Sequence, residues 1–198
     1  MESLEKGKPS WDEVFLLMSM LLSSRASCNR LLTACILTKD KRIKGAGYNG
    51  ATAGAPNCDD VGHRIVEGHC IRTIHGEHNA ILNSSGDLRD ATAYIIGTPC
   101  VHCTKYLIQA GIRRFVTVGV YKNVGDRGFI DELLTVAKAT IDEKKDPVYL
   151  IDSLAKALKR LRGPGGILRD IPLEQWQKLL PECDNAQVKD SSGTCAEC

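Results

Sequence analysis

The sequence predicts an α/β fold in which one mixed sheet lies between two layers of helices. Helical and strand patterns alternate along the chain in the order α-β-β-α-β-α-β-α, with one further strand near the end. Strands that alternate with helices usually form a single sheet with helices on both faces. The length of 198 residues suits one ordinary domain with an appendage. We therefore expect a three-layer α-β-α sandwich with a mixed five-stranded sheet.

The N-terminal third of the chain predicts a helix, a strand hairpin and a long loop. Ser10 can cap the helix, and Glu13 stands three residues later, as a capping box requires. Residues 31–38 predict a buried strand, and residues 42–48 predict its antiparallel partner across a turn-prone Lys-Asp-Lys segment. A polar, glycine-rich loop follows from residue 51 to about 73, and loops of that length are usually functional.

Helices and strands continue to alternate in the remainder of the chain. The predicted elements are a helix over 77–84, a strand over 91–97, a helix over 100–111, a strand over 115–121, a helix over 129–139, a short edge strand over 147–151, an amphipathic helix over 151–162 and a short helix around Trp176. We therefore expect one domain over residues 10–150 and a C-terminal extension over residues 151–198 that ends in a polar tail.

Composition and charge favour a small ligand over a polymer or a membrane. The formal net charge is +2, and the one basic cluster, within residues 156–162, has the spacing of a solvated helix face. No stretch is long enough to cross a bilayer, and the apolar run over 14–22 lacks the basic start of a signal peptide. We therefore expect a cytoplasmic protein that binds neither long nucleic acids nor membranes.

The nine cysteines indicate metal binding, because their number is odd and no signal peptide favours disulfides. A catalytic zinc ion needs three protein ligands and one open position. Cys100 and Cys103 can bind one ion together at the start of a helix, and His75 completes the three. Glu77 follows His75 by two residues and can act as a general acid–base beside the metal-bound water.

Each part of this pattern has a simpler interpretation when it is taken alone. A Cys-x-x-Cys pair is more often a structural zinc site or a redox pair, and a single histidine is usually a core residue. A purely structural zinc site would need a fourth protein ligand and would have no use for Glu77. Together the residues match the H-x-E…P-C-x-x-C signature of zinc deaminases, so the sequence predicts a catalytic zinc.

The segments around these residues resemble the deoxycytidylate (dCMP) deaminases, especially the bacterial and phage members. The resemblance covers about residues 10–140 and is carried by Gly-Tyr-Asn-Gly at 47–50, residues 70–81, Pro-Cys-Val-His-Cys at 99–103 and residues 108–112. Gly76 replaces the usual alanine, and Thr33 replaces a glycine beside the pyrimidine pocket. The resemblance implies the cytidine deaminase fold and hydrolysis of dCMP to dUMP and ammonia, which supplies dUMP for thymidylate synthesis.

The resemblance also implies a mechanism and a substrate site. A zinc-bound hydroxide attacks C4 of cytosine while Glu77 passes protons to N3 and to the leaving amino group. Asn49 would bind the sugar and the Ala34 backbone the base, and Arg30 and Tyr121 are candidates for the phosphate end. Spacing alone would make Asn49 a turn residue. The family further suggests a homohexamer with dCTP and dTTP as candidate effectors.

A second zinc site is expected around the long loop. Its candidate ligands are Cys28, Cys58, His63, His69 and Cys70. Related enzymes of this branch use cysteines at positions resembling the first two, and such a metal would order the loop. Five candidates for four places leave the set open. We favour Cys28, Cys58 and His69, with His63 or Cys70 as the fourth, and free thiols with surface imidazoles are the alternative.

Two other functions remain open at this point. The protein could deaminate another substrate, such as cytidine, dCTP, a tRNA adenosine or a riboflavin precursor. A protein that binds tRNA would be expected to carry more positive charge. A riboflavin enzyme usually carries a fused reductase domain, which about 50 C-terminal residues cannot supply. Alternatively, the chain could be a non-catalytic, zinc-stabilised binding protein, although the presence of Glu77 argues against this.

Overall fold

The computed structural model describes residues 7–121, 124–172 and 175. The helices are α1 (Trp11–Ser23), α2 (Cys58–Val61), α3 (Gly76–Leu82), α4 (Val101–Gln109), α5 (Arg127–Val136) and α6 (Val148–Arg162). The strands are β1 (Ala34–Lys39), β2 (Arg42–Tyr48), β3 (Gly50–Ala51), β4 (Ile65–Val66), β5 (His69–Cys70), β6 (Thr73–Ile74), β7 (Thr92–Ile96), β8 (Arg114–Val118) and β9 (Thr140–Lys144). The helix expected around Trp176 and the cysteines of the tail lie outside the described residues.

Five of the strands form one mixed sheet in the order β2-β1-β7-β8-β9. Strand β1 pairs antiparallel with both β2 and β7, whereas β7, β8 and β9 run parallel to one another. The parallel pairs are connected through α4 and α5, as parallel strands require a crossover. The predicted mixed five-stranded sheet is therefore confirmed.

The sheet is covered on both faces, which gives the three layers. One apolar core joins the sheet to α3, α4 and α5, and a second joins it to α1 and α6. Two neighbours in β8 show the alternation, because Phe115 belongs to the first core and Val116 to the second, and both are fully buried. Both neighbours are apolar, as a strand that is buried on both faces requires.

The end of the sheet differs from the sequence prediction. The fifth strand is β9, and the predicted edge strand over 147–151 is wrong because those residues begin α6. Asp146 Oδ1 accepts a hydrogen bond from the Val148 backbone nitrogen (2.9 Å), and Pro147 suits the start of a helix. Strand β9 escaped prediction because three of its five residues are charged, which an edge strand tolerates.

The segment over 51–73, which was predicted as a loop, forms two-residue strands and a four-residue helix rather than long elements. Strand β3 pairs with β6, and β4 pairs with β5 in a separate two-stranded hairpin. The chain divides into two compact units, Met1–Ala157 and Leu158–Cys198. The domain boundary expected at residue 150 stays a prediction. Among the described residues, no helix is both long and apolar enough to cross a membrane.

Two glycines let α3 lie unusually close to the sheet. Gly45 and Gly47 of β2 face the helix, and a Cβ on Gly47 would overlap the Ala80 backbone nitrogen and lie 2.5 Å from the Gly76 carbonyl oxygen. Real Cβ atoms do not approach backbone so closely. The absence of side chains at these positions therefore sets the depth at which the N-terminus of α3 meets the sheet.

A group of three polar residues fixes α1 against the sheet. Asp12 accepts two hydrogen bonds from the Arg114 guanidinium (2.6 and 2.9 Å) and one from the Tyr94 hydroxyl (2.7 Å). The hydrogen bonds from Arg114 lower the pKa of Asp12, although burial opposes them. The bidentate ion pair joins α1 to β8, and the Tyr94 hydrogen bond joins it to β7.

We predict that Asp12→Asn lowers the free energy of unfolding at pH 7 by about 1 kcal/mol, because the pair is partly exposed and therefore screened. Since the pKa of Asp12 is lowered in the folded state, its stabilisation is present above pH 4 and is lost as the pH falls through that lowered value. Thermal unfolding of both proteins at pH 7 and at pH 3 measures the difference. Asp152→Asn, an exposed change on α6, is the control; an equal loss at both pH values would contradict the prediction.

Candidate active site and metal-ligand groups

The ends of two helices bring the first group of metal-ligating side chains together. His75 is the N-cap residue of α3, Cys100 is the N-cap residue of α4, and Cys103 lies in the first turn of α4. His75 Nδ1 lies 3.2 Å from Cys103 Sγ and 3.7 Å from Cys100 Sγ, and all three ligand atoms lie within 4.8 Å of one another. We call these three residues the first ligand group.

The spacing and chemistry of the first ligand group fit a zinc ion. Ligand bonds of 2.0–2.3 Å in a tetrahedral arrangement place nitrogen and sulfur roughly 3.5 Å apart, as found here. Hydrogen bonding to Cys103 and His75 lowers the pKa of Cys100 to about 3, and the same contact with Cys100, together with burial, raises the pKa of Cys103. Two thiols this close resist losing both protons until a cation lies between them, because a coordinating thiol deprotonates.

Glu77 is a buried carboxyl group beside the first ligand group. It lies in the first turn of α3, the residue is 5% exposed, and it borders the same pocket as His75 and Cys100. Burial raises its pKa above that of an ordinary glutamate. A carboxyl group whose pKa moves towards neutrality is suited to both taking and giving a proton.

The pocket extends from the first ligand group to a polar rim. Its walls include Thr33, Asn49, Arg30, His69 and Tyr121 in addition to the residues above. Burial and the charge of Cys100 raise the pKa of Tyr121, whereas the nearby positive charge of Arg30 lowers it. Three of the four predicted substrate-binding residues therefore line one pocket with Glu77. The fourth, Ala34, is fully buried in β1, where its Cα would lie 3.1 Å from a Cβ on Gly76.

The Asn49 side chain stabilises the pocket wall through hydrogen bonds to the backbone. Its Oδ1 accepts a hydrogen bond from the Thr33 backbone nitrogen (3.1 Å), and its Nδ2 donates one to the Leu31 carbonyl oxygen (2.6 Å). The Thr33 hydroxyl in turn donates to the Ile96 carbonyl oxygen at the end of β7. Asn49 is thus neither a simple turn residue nor only a pocket-lining one, since it also shapes the segment over 31–33.

A second ligand group consists of Cys28, Cys58, His63 and Cys70, whose ligand atoms all lie within 4.8 Å of one another. The two closest contacts join Cys58 Sγ to Cys70 Sγ (3.6 Å) and Cys28 Sγ to His63 Nδ1 (3.5 Å). Burial raises the pKa of Cys58 to about 12. Burial also raises that of Cys70, but hydrogen bonds from the backbone of Arg72 and Arg64 lower it to about 6. Four nitrogen and sulfur donors are the set of a structural zinc site.

The structure differs from the favoured ligand set at His69. It brings together four of the five candidates, with both His63 and Cys70 among them, and leaves His69 outside this group, although His69, Cys28 and Cys70 all border the pocket. His69 and Cys70 are neighbours in β5, and successive side chains of a strand point to opposite faces. Because Cys70 faces the second ligand group, its neighbour faces away from it.

Sequence analysis did not identify the hairpin that carries these two residues. A signal was present, because Glu67-Gly68 separates two pairs of strand-forming residues by the two positions of a tight turn. Both turn residues have positive φ, 49° at Glu67 and 78° at Gly68, as a type I′ turn requires. Strands of two residues are too short for periodicity to show.

We predict that Asn49→Asp destabilises the protein by about 1–3 kcal/mol, because a carboxylate would replace the amide group that donates a part-buried hydrogen bond to the Leu31 carbonyl oxygen. Denaturant unfolding of both proteins measures the change. Asn83→Asp is the matched control, since its Nδ2 donates to the Asn79 carbonyl oxygen at an exposed position where water can replace it. Equal effects at the two positions would contradict the role assigned to Asn49.

Comparisons with known proteins show which family the chain is similar to. The family model for the cytidine and deoxycytidylate deaminase zinc-binding region matches residues 9–119. ComE operon protein 2 of Bacillus subtilis is 37% identical over 146 residues, which cover 72% of this chain and 76% of that protein. Deoxycytidylate deaminase of Mycobacterium phage D29 is 35% identical over 122 residues, which cover 55% of this chain and 94% of that protein.

A solved structure shows the same fold. The crystal structure of dCMP deaminase from cyanophage S-TIM5 in complex with dCMP and dUMP superposes with a TM-score of 0.59 at 22% identity, over 69% of this chain and 98% of that chain. The fold and the resemblance inferred from the sequence are both confirmed. Because the family model covers more than half of the chain, the protein belongs to the cytidine and deoxycytidylate deaminases, a family of zinc-dependent hydrolytic enzymes.

Proposed function

We propose that this protein hydrolyses dCMP to dUMP and ammonia and so supplies dUMP for thymidylate synthesis. The observation that carries the proposal is the position of Glu77, a buried carboxyl group that shares a pocket with a three-residue zinc-ligand group. The relatives of phage D29, yeast and human origin that carry the name deoxycytidylate deaminase support the choice of substrate.

His75, Cys100 and Cys103 would hold the catalytic zinc through Nδ1 and two thiolate sulfurs. Zinc, when bound, lowers the pKa of a coordinated water towards neutrality and so supplies the nucleophile. Three protein ligands leave one coordination position for that water, which separates this group from the four-residue second group.

Glu77 moves the protons of the reaction. Its carboxylate takes a proton from the attacking water and delivers it to N3 of the cytosine, which makes C4 more electrophilic. It then transfers the second proton of that water to the exocyclic amino group, which leaves as ammonia. The raised pKa of Glu77, caused by burial, helps the same group to accept and release each proton near neutral pH.

The rest of the pocket would bind and orient the nucleotide. Asn49 keeps one amide hydrogen and one oxygen lone pair beyond its two backbone contacts, and these suit a sugar hydroxyl. The backbone of Ala34 would contact the base. Arg30 and Tyr121 lie at the rim of the pocket, where a phosphate would remain partly solvated. All these residues fall within residues 10–150, which we propose as the catalytic domain, with residues 151–198 as an extension.

A second, structural zinc would bind Cys28, Cys58, His63 and Cys70. The two-residue strands around it offer little apolar contact, and a metal would supply the missing stabilisation. Family resemblance further supports a cytoplasmic homohexamer whose activity responds to dCTP and dTTP.

We predict that Glu77→Gln lowers turnover of dCMP by at least about a hundredfold while the zinc content is unchanged, because the amide cannot transfer the protons. Loss of cytosine absorbance with dCMP, CMP, dCTP, deoxycytidine and cytidine measures turnover and the preferred substrate. Glu132→Gln, an exposed change on α5, is the control. If zinc-loaded protein turned over none of the five substrates, the proposed function would be wrong.

We predict about two zinc ions per chain, one for each ligand group. Cys103→Ser and Cys58→Ser should each remove one ion, because each group loses a thiolate. Elemental analysis of the purified proteins measures the content. Cys35→Ala, which changes a fully buried cysteine outside both groups, should keep both ions. A wild-type content of one ion would contradict the structural site.

A further inference from the structure

The second ligand group brings three thiols together. Cys28, Cys58 and Cys70 are free cysteines, and their sulfur atoms lie within 4.8 Å of one another. Cys58 Sγ and Cys70 Sγ are 3.6 Å apart. A disulfide bond is about 2.05 Å long, so a small movement of the two side chains brings these sulfurs within bonding distance. The same thiols can therefore bind a metal when they are reduced or join each other when they are oxidised.

Exposure separates Cys70 from the other thiols. Of the cysteines that the structure describes, Cys70 is partly exposed and the others are buried. Cys70 also borders the pocket, together with Cys28 and Cys100, which are only 3% and 9% exposed. Cys103 of the first ligand group is fully buried. Since oxidation of a thiol requires access to its sulfur, a small oxidant that enters the pocket reacts first at Cys70.

The second ligand group joins segments that bury little apolar surface. Cys28 precedes the pocket-lining segment over 30–33, Cys58 begins α2, and Cys70 ends β5. The apolar side chains of α2 and β4 are about half exposed, so they contribute little to holding these segments. A disulfide between Cys58 and Cys70 would keep α2 joined to β5 but would leave Cys28 and His63 without a metal. The attachment of the β4–β5 hairpin to the pocket wall over 28–33 would then weaken.

We propose that Cys70 and Cys58 form a peroxide-reactive site. Oxidation joins them in a disulfide, expels the zinc of the second ligand group and weakens nucleotide binding by loosening the pocket wall. The inference rests on the second zinc and, for nucleotide binding, on the proposed function. The oxidant is hydrogen peroxide or a small organic hydroperoxide. The pocket volume of about 180 Å³ admits it, because about 10–15 Å³ on the same measure holds one water molecule.

The oxidation balances in two steps. The Cys70 thiolate attacks one oxygen of hydrogen peroxide, the O–O bond breaks, and the other oxygen leaves as hydroxide, so that Cys70 becomes a sulfenic acid. The Cys58 thiolate then attacks the Cys70 sulfur, an S–S bond forms, and a second hydroxide leaves. Both hydroxides take a proton from solvent and become water. Two thiolates thus lose two electrons to one peroxide, and the zinc dissociates because it has lost two of its four ligands.

The first experiment measures zinc release. Full-length, zinc-loaded protein is treated with hydrogen peroxide, and a chromogenic zinc indicator records the released ion against a sample without peroxide. About one zinc per chain should appear at least tenfold faster than the next, because the thiols of the first ligand group are buried. Absence of this fast release overturns the proposal.

Two control proteins retain the second ligand group but lack other thiols. Cys35→Ala removes a fully buried thiol outside both ligand groups. The second control changes the three tail cysteines to serine at positions Cys183, Cys195 and Cys198. Both should release zinc at the wild-type rate, and loss of the fast release in either would overturn the assignment to Cys58 and Cys70.

The second experiment locates the oxidised thiols. Trypsin places the three cysteines of the second ligand group in separate peptides, residues 26–30, 45–64 and 65–72. After the remaining thiols are blocked, mass spectrometry without reduction should show the last two peptides linked with the loss of two hydrogen atoms. This linkage should form at the rate of zinc release. A linkage through residues 26–30 instead, or zinc release without any linkage, overturns the proposal.

Two variants assign the roles of the two thiols, and far-UV circular dichroism verifies that both are folded. In Cys58→Ser, peroxide should leave Cys70 as a sulfenic acid, so dimedone, which traps sulfenic acids, should label residues 65–72. In Cys70→Ser, dimedone should label residues 45–64 at least tenfold more slowly, because Cys58 is buried. Equal labelling rates would show that Cys70 is not the attacking thiol.

The third experiment measures the effect on the pocket. Isothermal titration gives the dissociation constant of dUMP for reduced protein, for oxidised protein, and for oxidised protein after a phosphine reductant and zinc are added. The constant should rise at least fivefold on oxidation and return to its first value. Equal affinity in the reduced and oxidised states overturns the effect on the pocket wall.

The two proposals fail in different ways. If peroxide releases zinc and links the two peptides but no cytosine nucleotide is turned over, the proposed deaminase function is wrong and the oxidation site stands. If dCMP is turned over but peroxide produces neither fast zinc release nor the linkage, the oxidation site is wrong and the deaminase function stands.

Discussion

The close contact between α3 and the sheet is the constraint on which the active site depends. Because Gly47 has no side chain, the Gly76 carbonyl and the Ala80 nitrogen pack directly against the backbone of β2. The N-terminus of α3 is therefore held at a fixed depth. His75 and Glu77 belong to that N-terminus, and the two cysteines come from the start of α4. Helix and strand backbones are stiff, and this stiffness helps to keep the three ligand atoms within 4.8 Å of one another.

The same close packing places ionisable groups near one another, which makes their simultaneous ionisation unfavourable. Two thiols and a carboxyl group are buried together, so ionising all of them is unfavourable in the protein alone. The divalent cation proposed above would reverse this balance and leave Glu77 as a nearby group that can exchange a proton. Buried ionisable groups would destabilise an ordinary apolar core. In the proposed active site, the same burial suits metal binding and proton transfer.

The long loop is stabilised by different contacts from those of the sheet. The sheet is stabilised by two apolar cores, whereas the loop contains strands of two residues and a four-residue α2. The Arg30 contact with Gly68 joins the loop to the rest of the chain, and the second zinc proposed above would add four ligand bonds in place of apolar burial. Polar, glycine-rich sequence can therefore form a pocket wall, because its order comes from specific contacts rather than from hydrophobic area.

The sequence by itself determined the features whose residues lie close together along the chain. The start of α1, the β1–β2 hairpin and the buried strand β8 follow from short-range spacing, capping and burial. The first ligand group joins residues 25 and 28 positions apart and follows instead from its match to a known motif. Only the tertiary structure placed His63 rather than His69 in the second ligand group, placed β9 at the sheet edge and made Asn49 a support for residues 31–33. These outcomes depend on which face of a strand meets which neighbour across long separations in sequence. Local patterns do not encode that pairing.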